Sequence, residues 1–149
     1  MFKTRATKKE EIKESWYIID ATGQRIGKIA SIAAELLMAK NDPKTRAYLK
    51  PLHKVVITNA GQVDATARKR AGKTYTRYSG FPGGLKVHTL DEVLSTHPER
   101  VLEHAIRGML PRTKMGDAIH ATNLYIYAGS EHKHGANNPE IVNINEIKL

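Results

Sequence analysis

Between Asp64 and Asp91 the chain carries six lysines and arginines and no acidic residue. Arg68, Lys69, Arg70, Lys73, Arg77 and Lys86 are interleaved with Tyr75, Tyr78 and Phe81, around the run Gly80-Phe81-Pro82-Gly83-Gly84. Solvated charge runs usually alternate in sign. This one does not, so its cations sum to a strong local positive potential. The rings offer flat faces for stacking, and glycines such as Gly83 and Gly84 let backbone approach a ligand closely. Together these features suit a polyanion with exposed bases, which is RNA.

A second basic spot, Arg107-Gly108-Met109-Leu110-Pro111-Arg112-Thr113-Lys114, meets no acid until Asp117. A cation at a helix C-terminus is favoured by the macrodipole alone, which is reason enough for Arg107. Arg112 and Lys114 follow Pro111, where a helix is expected to have ended, and are read as phosphate contacts. In extended backbone, residues two apart share a face, so His132-Lys133-His134 can lay imidazoles and a cation along a phosphate track. A metal site needs three or four ligands and a supporting second shell. Glu131 is the only carboxylate beside these histidines, and no metal or other cofactor is expected.

The competing chemistry lies near the N-terminus. Gly23-Gln24-Arg25-Ile26-Gly27-Lys28 follows an expected strand and opens an expected helix, the position of a phosphate-binding loop. That motif requires four residues between its first glycine and the Gly-Lys pair, and a Ser or Thr after the lysine. Here the spacing is three and position 29 is Ile. The loop is therefore read as a structural junction, with Gly27 allowing helix and sheet to pack closely. Ser79 lacks a nucleophile elbow, and Glu99 and Glu103 sit beside Arg100 and Arg107 as an ordinary ion-pair face. No catalytic constellation stands out, and no small-molecule substrate is expected.

Composition agrees with a polyanionic partner. The 149 residues contain 24 Lys+Arg against 15 Asp+Glu, a formal charge of +9. No apolar run approaches the ~20 residues that span a bilayer, and no basic helix shows a broad apolar face for a membrane surface. A hydrophobic content of 40% can fill one core. Cysteine is absent, which excludes disulfides and thiolate chemistry and accords with a reducing cytosol. The acids Glu10, Glu11 and Glu14 in the polar first 15 residues fit neither a secretory signal nor a transit peptide.

These candidates must be positioned by a fold. Residues 1–15 read as a charged arm or frayed helix, and residues 16–149 as a single domain. Strands are expected over 16–20, 54–59 and 124–128, each short and rich in β-formers. From Arg25 the apolar residues Ile26, Ile29, Ala30, Ala33, Leu36 and Leu37 recur at helical spacing up to about Lys40, with Pro43 as terminator. A short helix is expected over 91–95. Another begins at Pro98, with Val101, Leu102, Ala105, Ile106 and Met109 inward. Residues 64–88 show little periodicity and read as a projecting basic loop. The tail, 129–149, reads as loop. Strands alternating with helices argue for a parallel sheet covered on both faces.

The motifs as an ordered set resemble a known family. Lys73-Thr74-Tyr75-Thr76-Arg77-Tyr78-Ser79-Gly80-Phe81-Pro82-Gly83-Gly84-Leu85-Lys86 is similar to the signature of the bacterial-type thirteenth large-subunit ribosomal protein family. Pro98-Glu99-Arg100-Val101, Gly108-Met109-Leu110-Pro111, Tyr127-Ala128-Gly129 and Glu131-His132 follow in the family's order. Trp16, Asp20-Ala21, Ile26-Gly27-Lys28-Ile29-Ala30 and Val55-Val56-Ile57-Thr58-Asn59-Ala60 resemble its opening. Three places depart from the pattern. Thr66-Ala67-Arg68-Lys69-Arg70 lacks a glycine turn, Lys133 replaces the proline of His-Pro-His, and Asp117 stands where a basic residue is common.

The resemblance implies a three-layer α/β/α domain with a small, mostly parallel sheet. It implies a non-catalytic, cytoplasmic constituent of the large ribosomal subunit, binding its RNA early in assembly beside neighbouring ribosomal proteins. The expected RNA contacts are Arg68, Lys69, Arg70, Lys73, Tyr75, Arg77, Tyr78, Gly83, Gly84, Lys86, Arg107, Arg112, Lys114, His132, Lys133 and His134. The alternatives are an RNA-binding translational regulator acting off the ribosome and, less well supported, a nucleotide-binding protein using residues 23–28.

Overall fold

The computed structural model describes residues 5–144. In chain order the elements are β1 (Ser15–Asp20), α1 (Ile26–Leu37), β2 (His53–Thr58), α2 (Ala67–Gly72), β3 (Thr74–Tyr78) and β4 (Leu85–Thr89). Then come α3 (Leu90–Thr96), α4 (Pro98–Met109), α5 (Lys114–Asn123), β5 (Leu124–Ile126) and β6 (Glu140–Ile141). Four strands form one parallel sheet in the order β5-β2-β1-β6. Parallel neighbours need crossovers, and right-handed crossovers decide which face each connection covers.

The register pairs Ile19 with Ile57 and Val55 with Leu124. The pleat therefore puts Tyr17, Ile19, Val55, Ile57, Leu124 and Ile126 on one face. That face packs against Ile29, Ile32 and Leu37 of α1, Leu102 and Ile106 of α4, and Ile119 of α5. Each fully buried Ile or Leu contributes about 1.5–3 kcal/mol relative to exposure, so this layer dominates stability. Helix α1 stops at Leu37, before Pro43 can act. Ala39 adopts φ +49, and the amides of Ala39 and Lys40 donate back to the carbonyls of Leu36 and Glu35. This is a Schellman ending that usually takes glycine. Met109, expected inside, is 43% exposed at the last turn of α4, beyond the reach of the core.

The opposite face carries Trp16, Ile18, Lys54, Val56 and Tyr125. The β5-to-β6 connection covers it, with its single 3-10 turn at Gly135–Asn137 in place of an α-helical layer. Trp16 stacks on Tyr125 at 5.8 Å, and the His134 ring lies 4.3 Å from Tyr125 and 5.0 Å from Trp16. The tail is thus more than loop: β6 joins the sheet and Ile144 is buried in the main core. Residues 145–149 lie outside the described residues, as do 1–4 of the expected arm. The rest of the arm is pinned, with Ile12 buried and the Tyr48 hydroxyl donating to the Thr7 carbonyl at 3.1 Å.

Residues 64–88, expected as a projecting loop, fold as a short helix and an antiparallel hairpin. Thr74-Tyr75-Thr76-Arg77-Tyr78 and Leu85-Lys86-Val87-His88-Thr89 are strand-like alternations around a glycine-rich turn. Their period was obscured because little of either face is buried. Helix α5 has no counterpart in the elements expected from the sequence. Thr113 caps it by accepting from the Gly116 amide at 3.3 Å, and Met115 and Ile119 supply its inward side. A Cβ at position 116 would fall 1.9 Å from the Pro111 carbonyl oxygen, so glycine alone fits this turn.

Asn123 ties the sheet to its entry loops. Its buried side-chain amide donates to the carbonyls of Pro51 at 3.0 Å and His53 at 2.8 Å. Asn123→Ala leaves both acceptors without that partner, and we expect a loss of about 2–4 kcal/mol in urea unfolding with an unchanged m-value. A loss below about 0.5 kcal/mol, the range of ordinary surface changes, would contradict the assigned role.

Candidate nucleic-acid interface

The hairpin register decides which side chains share a surface. Arg77 lies directly opposite Lys86, and Tyr75 opposite His88, so these four occupy one face. Directly opposed like charges destabilise a sheet, yet no ion pair to Arg77 or Lys86 is present among the described residues. Both are exposed. Among the described residues the two cations are thus held side by side without a protein anion.

Tyr75 anchors this face. Its half-buried ring packs with Ala65, Leu90 and Val101 and meets the His104 ring edge-on at 5.5 Å. It is therefore spent on packing and is not presented for base stacking. Lys73 sits 5.1 Å over the same ring. Arg68 and Lys69 are exposed on α2, whereas Arg70 donates from Nε to the Ala65 carbonyl at 3.0 Å and helps close the loop. Gly83 and Gly84 have intramolecular reasons. Gly83 has φ +75, and a Cβ at position 84 would lie 2.0 Å from Ser79 Oγ. Tyr78 points to the other side of the hairpin.

His104 leads from the hairpin to the second basic spot. It lines a cleft of about 380 Å³ with Arg107, Gly108, Leu110, Pro111, Arg112, Gly116 and Asp117. The structure thus brings the two basic stretches into one neighbourhood through Tyr75 and His104. His104 gave no sequence signal, being a lone histidine on an exposed helix turn. Arg107 is loosely held by Asp117 at 3.5 Å, so the acid that departs from the usual pattern partly neutralises the cleft. Lys114 is exposed in the first turn of α5, the positive end of the helix dipole, where a cation is disfavoured without an anionic partner.

The histidine track does not form as expected. His134 packs at a tilt against Trp16 and Tyr125 on the far face of the sheet, and its Nε2 is 3.1 Å from the Tyr127 hydroxyl. His132 Nδ1 accepts from the His134 amide at 3.3 Å, and only Lys133 of the three is fully exposed. No cluster of metal-ligating side chains occurs among the described residues.

Three amides of the 23–28 loop are already spent within the protein. The amides of Gly23, Gln24 and Lys28 donate to the carbonyls of Gln62, Ala21 and Arg25. Asp20 stands beside it, held below the usual carboxylate range by hydrogen bonds from Asn59 first and then Thr22, and its negative charge opposes an anion. Gly27 is exposed with open space around its missing Cβ, so close helix–sheet packing is not its reason.

Comparison with known proteins fits this geometry. The sequence model described as ribosomal protein L13 matches residues 14–133. The chain belongs to the ribosomal protein L13 family. It is 41% identical over 147 residues to the large ribosomal subunit protein uL13 of Picosynechococcus sp., covering 99% of this chain and 97% of that protein. It is 42% identical to uL13 of Microcystis aeruginosa with the same coverage. For uL13 of Roseiflexus sp. the identity is 41%, over 93% of this chain and 94% of the relative. No helix among the described residues is long and apolar enough to cross a membrane.

Burial lowers the pKa of His134 below its ordinary 6.5, with His132 and Lys54 adding repulsion. The unfolded chain therefore takes up a proton near pH 6.5 that the folded chain refuses. Stability should be full above that pH and fall as pH drops from it toward the lowered folded value. His134→Phe, which keeps the ring packing, should flatten this part of a stability–pH profile from urea unfolding. An unchanged profile would place the titration elsewhere.

Proposed function

We propose that this chain is a structural, non-catalytic constituent of the large ribosomal subunit that binds large-subunit ribosomal RNA in the cytoplasm and supports early subunit assembly. Family membership supports the ribosomal assignment, and the observation that carries the RNA face is the exposed Arg77–Lys86 pair, opposed across the hairpin with no acid. Phosphates passing between these residues relieve their repulsion, and each neutralised phosphate releases counterions.

The contact surface runs from Arg68 and Lys69 through Lys73, Arg77 and Lys86 to the cleft of Arg107 and Arg112, with Lys114 on α5 completing the basic spot. Its cations lie on a preformed helix, hairpin and cleft, so little ordering entropy is lost on binding. Lys133, on the other face of the sheet, is a separate and lesser contact. Neighbouring large-subunit proteins complete the surroundings.

Replacing Arg68, Lys69, Lys73, Arg77 and Lys86 together with Ala tests the surface while sparing Arg70, whose side chain closes the loop. The replaced residues are all exposed, so the melting temperature should stay level or rise as repulsion is removed. Affinity for a large-subunit RNA fragment should fall, and the slope of log K against log salt should shrink by about 3 to 4 units, at roughly 0.7–0.9 per lost phosphate contact. A folded variant with unchanged affinity and slope would move the RNA to another face.

A further inference from the structure

The second basic spot differs from the first in holding an acid. Arg107, Arg112 and Asp117 line one cleft of about 380 Å³, and an Arg107 guanidinium nitrogen lies 3.5 Å from an Asp117 carboxylate oxygen. Both side chains of that pair are exposed. Exposed ion pairs contribute little to stability, so both groups remain available to a ligand. The volume lies at the small end of ligand sites, which begin at about 300 Å³. It suits one nucleoside better than a folded segment.

The floor of the cleft is bare. Gly108 stands inside α4, where only proline is less favourable than glycine. A Cβ at position 108 would meet nothing within 4 Å, and the backbone there is not left-handed, so neither packing nor conformation requires the glycine. Its effect is to leave helix backbone uncovered one turn after His104. The His104 ring, held edge-on to Tyr75 at 5.5 Å, lines the same cleft. A flat ligand can lie on that floor.

The acid selects which flat ligand. A phosphate is attracted by Arg107 and Arg112 but repelled by Asp117, whereas a base edge carries donors and acceptors together. Unpaired RNA bases are recognised in this way, by contact with imidazole or guanidinium planes and by hydrogen bonds to the Watson–Crick edge. Guanine alone puts two donors side by side on that edge, N1–H and the N2 amino group, with the O6 acceptor next to them. A carboxylate accepts from both donors, and a guanidinium beside it donates to O6. Adenine, cytosine and uracil each offer one donor on that edge and leave a carboxylate oxygen without a partner.

We propose that the cleft between α4 and α5 binds one unpaired guanine of large-subunit ribosomal RNA. Asp117 accepts from N1–H and N2–H, Arg107 donates to O6, the base lies over Gly108, and Arg112 meets the adjoining phosphate. This deepens the assignment of the basic surface to RNA and rests on it.

Kethoxal reacts across N1 and N2 of unpaired guanines, so it reads that edge directly. On large-subunit ribosomal RNA, the native chain should protect a guanine that Asp117→Asn leaves reactive, because the amide sets a donor against a donor. Affinity should fall about tenfold, within the range for one lost bidentate base contact. The salt slope should stay unchanged, because no phosphate contact is lost. A purely electrostatic role for Asp117 predicts the opposite sign, since removing an acid from a basic surface strengthens RNA binding. Gly108→Ala keeps every charge. It should melt at or above the native temperature and yet lose the same protection, its methyl standing where the base lies. Affinity that is level or higher in Asp117→Asn overturns the proposal. So does the absence of any guanine whose protection depends on both positions, or protection lost instead at an adenine, cytosine or uracil in parallel dimethyl sulfate and carbodiimide probing. Failure of the RNA assignment itself shows separately, as unaltered RNA affinity and slope in an Arg77→Ala, Lys86→Ala variant, and would withdraw both readings.

Discussion

Helix α4 belongs to two hydrophobic cores at once, and the rest of the structure depends on that. Leu102 and Ile106 enter the main core against α1 and the sheet, while Val101, one residue away, enters the satellite core with Leu90 and Ala65. An isolated two-stranded hairpin is marginal in water. This one is held because Tyr75 packs into the satellite core at its base and the Leu90 amide donates to the Lys73 carbonyl at 2.9 Å. The sheet positions α4, α4 positions Tyr75, and Tyr75 positions the cations.

That arrangement explains how the chain tolerates its own repulsion. Cross-strand like charges cost a few tenths of a kcal/mol to about 1 kcal/mol, whereas one buried Leu or Val contributes about 1.5–3 kcal/mol. Leu90 and Val101 are both fully buried, so packing outweighs electrostatics and the cations stay assembled without a ligand. The capping box of α3, in which Thr89 and Glu92 satisfy each other's backbone amides, stops the end of β4 from fraying. The charge conflict sits in a folded hairpin, so on the proposed reading a polyanion would relieve it without first having to order the chain.

The legible parts of the fold were those with buried periodicity. β1, α1, β2 and α4 each bury a stripe or a continuous run, and pattern reading places them within a few residues. The hairpin hid because its apolar residues Tyr78, Leu85 and Val87 face outward, leaving no buried period to count, although the strand formers flanking Gly80–Gly84 were a usable signal. Helix α5 hid behind Pro111, which reads as a helix end but packs with Gly116 in one tight turn. Among the site residues, charge located Arg77, Lys86 and Arg112 correctly as exposed cations. Composition could not reveal that Tyr75 and His134 are spent on packing, since ring orientation is set by register and by the crossover over the far face. His104 joins the two basic stretches only through folding.

The central claim is that the basic hairpin is built before RNA arrives. Amide hydrogen exchange on the protein alone tests it most directly. The Ser79 and Leu90 amides, bonded to Gly84 and Lys73 at either end of the hairpin, and the ladder amides between them should exchange far more slowly than the turn amide of Phe81. The account predicts this protection with no RNA present. Exchange of the whole window at unprotected rates, with Ile19 and Ile57 still protected in the sheet, would contradict it.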